Sequence, residues 1–118
     1  MAIQQISTHQ IDIDNTALTS SSASIAWDMS LGDNFTHTFT ENTTLANPTN
    51  VTVGKSGFII LTQHASSPKT LAFGTEYVGP AFTLPTVTAT NSARDVLQYL
   101  VLPDSKILIT SALNIGAP

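Results

Sequence analysis

The sequence predicts an all-β fold, a β-sandwich or jelly-roll-like domain with an extended N-terminal arm. Apolar residues recur at every second position, turn residues separate short apolar runs, and threonine and serine make up about a quarter of the 118 residues. The chain is 42% hydrophobic with a net charge of only −4, which is typical of a folded protein. Short strands between regular turns favour two packed sheets.

The body begins with an alternation of apolar and threonine residues. Phe35, His37 and Phe39 share one face of a half-buried strand. Val51 and Val53 continue the same period of two, so a further strand is expected there.

The middle of the sequence predicts a densely apolar strand followed by a strand that returns alongside it. The run FIILTQ follows Gly57 and suits a buried strand, and residues 69–73 read as the return strand. Residues 86–90 are strand-like again, with threonine at alternate positions.

Residues 95–102 fit either a helix capped by Ser92 or a strand, and we favour the strand. Pro103 and Asp104 then form a turn into the β-branched run 106–111, which makes a hairpin. The residues that we expect to be buried on facing strands are Phe58, Ile60, Leu71, Phe73, Leu97, Tyr99 and Val101.

The first 30 residues differ from the rest, and the predicted division is an arm over 1–30 and a β-sandwich body over 31–118. Isolated isoleucines and the polar run TSSSAS cannot form a core of their own. We therefore expect the arm to become ordered against neighbouring subunits. The predicted arm contacts are Ile3, Ile6, Ile11, Ile13, Asp12 and Asp14.

Charge and composition narrow the possible partners. Only 10% of the residues are charged and four are basic, so no nucleic-acid partner is expected. No apolar run is long enough for a membrane span, and the start MAIQQISTHQ lacks the features of a signal peptide. A weakly charged surface gives little repulsion between copies, which favours self-association.

We expect no catalytic residues, no cofactor and no bound metal. Gly54-Lys55-Ser56 resembles the end of a phosphate-binding loop, but position 49 is threonine where that motif needs glycine. Asp12 and Asp14 are spaced as in a calcium loop that here lacks the glycine and the distal glutamate.

Four other side chains could in principle bind a ligand. His37 is expected to be buried or interfacial, and an interface could make it a metal ligand on a threefold axis. Trp27, Tyr77 and Tyr99 could stack on sugars, although isolated aromatic residues more often belong to a core or an interface.

Residues 43–111 carry a series of segments that resembles a known group of proteins. The segments TTLANPTN, GKSGFIILTQ, KTLAFG and RDVLQYLV occur in this order. In this order they resemble a β-rich module of bacteriophage virion proteins, found in capsid decorations and in tail-fibre ends. The resemblance implies a homotrimer on the particle surface.

The expected function is therefore structural and not enzymatic. We expect a capsid decoration (cement) protein, made in the host bacterial cytoplasm, that binds the major capsid protein on the outer surface of the capsid of the virion. The alternative is a receptor-binding tail-fibre tip or head spike that recognises a host surface glycan.

Overall fold

The computed structural model describes residues 15–116, which form strands in two sheets. The strands are β1 (Asn15–Ala17), β2 (Ser20–Ser21), β3 (Ser24–Ile25), β4 (Asn34–Thr38), β5 (Thr43–Leu45), β6 (Ser56–Thr62), β7 (Leu71–Phe73), β8 (Tyr77–Val78), β9 (Arg94–Val101) and β10 (Ile107–Ala112). Single 3-10 turns occupy Met29–Leu31 and Pro80–Phe82. The prediction of an all-β fold with two sheets is confirmed.

The two sheets are connected by a chain that winds from one to the other. The larger sheet has the order β1-β4-β6-β9-β10-β8, and the smaller has the order β2-β3-β5-β7. From β3 to β8 the chain alternates between the sheets, so that β1, β4 and β6 are parallel, as are β3, β5 and β7. These windings stack like the coils of a solenoid, in which each coil contacts mainly its neighbours.

The antiparallel hairpin of β9 and β10 ends the winding. β9 pairs with β6 on one side and with β10 on the other, which confirms the predicted hairpin and the strand over residues 95–102. At the turn, the Leu102 N–H donates to the Lys106 carbonyl over 2.8 Å, and Ser105 adopts a φ of 67°. Leu97, Tyr99 and Val101 share the buried face of β9 as expected.

The winding explains one difference from the sequence prediction. β7 does not return alongside β6, because the chain crosses after β6 to the smaller sheet, where β7 lies beside β5.

Two other segments that were expected to be strands are irregular. Val53 lies in a turn and is 53% exposed. Within residues 86–90 the Thr88 N–H donates to the Asp95 carboxylate over 2.7 Å, which replaces a bond to a neighbouring strand.

The core is one apolar cluster to which both sheets contribute. Ile59 and Leu61 point into it, whereas Phe58 and Ile60 lie half-buried on the outer face of the larger sheet. The predicted inward face of β6 was therefore wrong. FIILTQ is apolar on both faces, so its alternation could not indicate which face is inward. Leu71 and Phe73, also expected in the core, pack against its margin and are half-buried.

Residues 15–30 belong to the body, although the sequence placed them in the arm. The polar run TSSSAS makes a tight hairpin between β2 and β3, with Ser22 and Ala23 at positive φ. The next residues, Ile25, Trp27 and Met29, are at most 1% exposed. These three residues alternate with exposed or half-buried ones, so their side chains lie on the buried side of the chain. Residues 1–14 lie outside the described residues.

The face reversal in β6 can be tested with a matched pair of variants. Ile59→Ala should lower the free energy of unfolding by about 2–5 kcal/mol, because it leaves a cavity in the core. Ile60→Ala, on the outer face, should cost less than about 1.5 kcal/mol, since its side chain is already partly hydrated. Urea unfolding followed by the fluorescence of Trp27 measures both, and equal losses would contradict the assignment of faces.

Candidate functional site

The outer face of the larger sheet carries an apolar patch framed by uncharged polar residues. We call this surface the outer face; its strand residues are Asn15, Ala17, Asn34, Thr36, Thr38, Ser56, Phe58, Ile60, Thr62, Val78, Arg94, Val96, Gln98, Leu100, Leu108, Thr110 and Ala112. Among them Phe58, Ile60, Val96 and Leu108 are half-buried and Leu100 is 39% exposed.

Charge is almost absent from the outer face. Among its described strand residues Arg94 carries the only charge, and it lies in the last row with its Nε donating to the Gly116 carbonyl over 3.1 Å. The Thr110 hydroxyl donates to the Gln98 amide oxygen over 3.2 Å, a cross-strand pair. An apolar centre with a neutral polar rim is the usual composition of a protein-binding surface.

A cavity of about 480 Å³ lies beside β1, at the open edge of the winding. We call it the Trp27 cavity; its apolar lining consists of Ala17, Leu18, Ala26, Trp27, Leu31 and Ala46. Leu31 is 61% exposed. The cavity is within the size range of pockets that accept small ligands or apolar side chains.

Asp28 is the one charged residue of that lining, and its carboxylate is already bonded. Its Oδ1 accepts from the Ser30 hydroxyl at 2.7 Å, from the Asn50 amide at 2.8 Å and from the Ser30 N–H at 2.9 Å. These bonds, led by that of the Ser30 hydroxyl, hold the pKa of Asp28 below its usual value. The carboxylate therefore caps the 3-10 turn that begins at Met29.

The aromatic residues considered for sugar stacking lie in the core. Trp27, Tyr77 and Tyr99 are 1%, 5% and 3% exposed. The Trp27 ring is parallel to that of Tyr77 at a centroid distance of 6.3 Å and meets that of Tyr99 edge-on at 4.9 Å. No sugar can reach these faces in the folded chain.

The two histidines that the structure describes have structural partners. His37 is 3% exposed, and its Nδ1 lies 2.7 Å from the Leu18 carbonyl, to which it donates. His64 Nδ1 accepts the N–H groups of Ser66 and Ser67 at 3.1 and 3.0 Å and so shapes the loop after β6. Residues 15–116 contain no group of three or more side chains suited to a metal ion.

Two buried polar side chains fix the loops that join the sheets. Gln63, which is 3% exposed, accepts from the Lys69 N–H at 2.8 Å and donates to the Thr88 carbonyl at 3.0 Å. Asp95, equally buried, accepts from the Thr88 hydroxyl and from the Asn114 N–H, each at 2.7 Å. Their bonding capacity is used within the chain, which is typical of structural polar groups.

The glycine-rich turn before β6 is also structural. Gly54 has a φ of 88°, and the Lys55 ammonium pairs with Asp33 at 2.8 Å. At Gly57 a Cβ atom would collide with the Asp33 carbonyl, the same oxygen to which the Tyr99 hydroxyl donates. Glycine at position 57 is thus required by packing.

Sequence reasoning missed the loop of Gly79 to Thr83, which presents Phe82. The Phe82 side chain is fully exposed, at 103% of its reference area, and packs on nothing in the described chain. The available signal was an aromatic residue placed directly after the Gly79-Pro80 turn.

The predicted arm contacts Ile3, Ile6, Ile11, Ile13, Asp12 and Asp14 lie outside the described residues, as does His9. Comparison with protein-family models, with curated proteins and with solved structures found no match for this chain. Within residues 15–116 no helix has the length and apolar character required to cross a membrane.

The buried tyrosines predict a loss of stability at alkaline pH. Burial raises the pKa of Tyr99 to about 12, with the nearby Asp33 charge adding to it, and burial also raises the pKa of Tyr77. Above pH ~10 the unfolded chain releases these protons while the folded chain keeps them, so stability falls as the pH rises. We expect a loss of up to about 1.4 kcal/mol per pH unit for each tyrosine between pH ~10 and ~12.

Urea unfolding at pH 8 to 12 measures this slope. Tyr99→Phe removes one ionisable group and should make the dependence shallower. An unchanged slope in that variant would contradict the assignment of the shifted pKa to Tyr99.

Proposed function

We propose that the protein is a structural component of a bacteriophage particle, a capsid decoration protein that works by binding and makes or breaks no bond. In this proposal it forms a homotrimer on the outside of the capsid and adheres to the major capsid protein. The observation that carries the proposal is the outer face, a broad sheet surface with an apolar centre and a single peripheral charge. The assignment to a bacteriophage particle comes from the resemblance of residues 43–111 to phage virion modules.

The outer face suits contact with a large and relatively flat partner. Half-buried side chains such as Phe58, Ile60 and Val96 can lose their remaining hydration on contact, and each Å² of apolar surface removed from water contributes about 25 cal/mol. Threonine and glutamine around them can exchange bonds with water for bonds across an interface. Adhesion of this kind adds free energy across capsid seams without a catalytic group.

The N-terminal arm is the second element of the proposal. Residues 1–14 precede β1, which is an edge strand of the larger sheet. In the proposal Ile3, Ile6, Ile11 and Ile13 anchor in a neighbouring subunit, and Asp12 and Asp14 meet basic groups or backbone amides. The contacts would supply the free energy that ordering the arm requires.

The proposal of a decoration protein is better supported than a glycan-binding tip. Glycan recognition would use several exposed aromatic rings beside polar groups. Trp27, Tyr77 and Tyr99 are buried, and Phe82 is the one fully exposed aromatic ring of the described chain. The outer face offers instead an apolar and neutral surface without a cleft lined by aromatic residues.

A matched pair of lysine substitutions tests the outer face. Ala112 is exposed at one margin of the outer face, whereas Ala72 is exposed on the opposite, smaller sheet. We expect Ala112→Lys to weaken attachment to undecorated capsids of the encoding phage by at least about tenfold, because it buries a charge against the capsid. Ala72→Lys should bind like the unmodified protein. Cosedimentation with capsids measures both, and equal binding of the two variants would argue against the outer face.

Removal of residues 1–14 tests the arm separately. The truncated protein should keep its far-ultraviolet circular dichroism, because the described body contains its own core. Its attachment to capsids should be weaker, since the anchoring isoleucines are absent. Attachment at full strength would remove the arm from the mechanism and leave the outer face as the attachment surface.

A further inference from the structure

Phe82 is exposed in a way that the other aromatic residues of the described chain are not. Trp27, Phe35 and Phe39 are each at most 2% exposed, whereas the Phe82 side chain projects completely into solvent. A fully exposed phenyl ring gains nothing from the fold that presents it. An exposed aromatic ring can contribute strongly to binding when a partner covers it.

The backbone around Phe82 has an unusual conformation and forms a hydrogen-bonded turn. Ala81 and Phe82 both lie in the left-handed region, with φ values of 54° and 63°. The Phe82 N–H donates to the Gly79 carbonyl and the Thr83 N–H to the Pro80 carbonyl, each at 3.0 Å.

The surroundings also hold this loop in place. At Gly79 a Cβ atom would collide with the Thr83 carbonyl, and Pro80 restricts the backbone at the start of the turn. Two successive non-glycine residues in this region are strained, and strain of this kind concentrates at binding and switch sites. The ring is thus presented by a short loop whose shape is fixed before any partner arrives.

Phe82 does not occupy the Trp27 cavity of its own chain. The 3-10 turn of Pro80–Phe82 follows β8, the edge strand at one end of the order, and packs on β10. The cavity adjoins β1, the edge strand at the other end. Because Phe82 is completely exposed in the folded chain, its ring leaves the cavity of that chain unfilled, and a second chain can supply the ring.

We propose that Phe82 of one subunit inserts into the Trp27 cavity of the next, so that identical copies associate head to tail into a closed ring. This inference rests on the proposed self-association and specifies its contact. A knob and a hole at different places on one surface give a heterologous interface, which closes into a ring when the rotation permits. A ring of three satisfies the proposed homotrimer.

Size and charge suit this occupant. A cavity of about 480 Å³ with six apolar lining residues can accommodate a phenyl ring and part of its loop. Residues 79–85 carry no charge, and the carboxylate of Asp28 at the cavity is bonded to Ser30 and Asn50. Docking therefore places no two charged groups in contact, and the Asp28 carboxylate keeps its hydrogen bonds.

Analytical ultracentrifugation of the full-length protein tests the contact directly. The unmodified chain should sediment as a trimer at tens of micromolar. Phe82→Ser should weaken association at least about tenfold, because it removes the knob. Leu113→Ser, which changes another exposed apolar residue at 42% exposure, should leave the trimer intact.

A mixing experiment separates this contact from others. Ala26→Phe fills the cavity from an exposed position of its lining, and should also prevent assembly while keeping the native circular dichroism. Equimolar Phe82→Ser and Ala26→Phe retain one intact knob and one intact cavity between them. They should form a one-to-one dimer that cannot close. Should Ala26→Phe fail to fold, Thr49→Phe at the same cavity takes its place.

Several outcomes would overturn the inference: a monomeric unmodified protein, a Phe82→Ser variant that assembles normally, or mixed variants that remain monomers. Loss of the trimer on removing residues 1–14, with Phe82→Ser unaffected, would assign the contact to the arm instead. A trimer that depends on Phe82 but does not bind capsids would preserve this inference and contradict the proposed function.

Discussion

The indole of Trp27 packs against three aromatic rings that belong to different parts of the fold. Phe35 belongs to the parallel winding, Tyr77 to an edge strand and Tyr99 to the C-terminal hairpin, with ring centroids 4.9 to 6.3 Å from the indole. Because the chain passes repeatedly between its sheets, a shared contact of this kind is needed to hold the successive windings together. The tyrosine hydroxyls extend it, since each donates over 2.6 Å to a backbone carbonyl, of Ala46 and of Asp33.

This arrangement limits where the protein can interact with partners. The rings of Trp27, Tyr77 and Tyr99, the Nδ1 atom of His37 and the buried carboxylate of Asp95 are engaged inside the chain. The surface that remains includes the outer face, the two edges of the larger sheet, the exposed side of the smaller sheet and a few loops. Solenoid-like windings leave open edges that need a cap or a neighbour. In our proposal, the edges serve self-association and the outer face serves adhesion.

The sequence predicted the features that depend on alternation and on turn residues. The strand around His37 and the hairpin after Pro103 follow from local patterns, and the structure contains both. It could not indicate the inward face of β6, because FIILTQ is apolar on both sides. It also could not show that the chain alternates between sheets, because parallel and antiparallel neighbours produce the same local pattern when the strands are short.

The candidate site was less predictable than the fold, for a physical reason. Residues 15–30 look polar and irregular in sequence, yet they bring Trp27 to the centre of the core through contacts with residues far along the chain. The exposure of Phe82 depends on a backbone conformation that alanine and phenylalanine rarely adopt. Such features arise from long-range packing, which composition and periodicity do not encode.

The most direct test of the central claim is an image reconstruction of the intact phage particle by cryo-electron microscopy. Our account predicts density for this fold on the outer surface of the capsid, in groups of three, with the face of β6, β9 and β10 against the capsid shell. Density for the fold at the tip of the tail, with no copies on the capsid, would contradict the account.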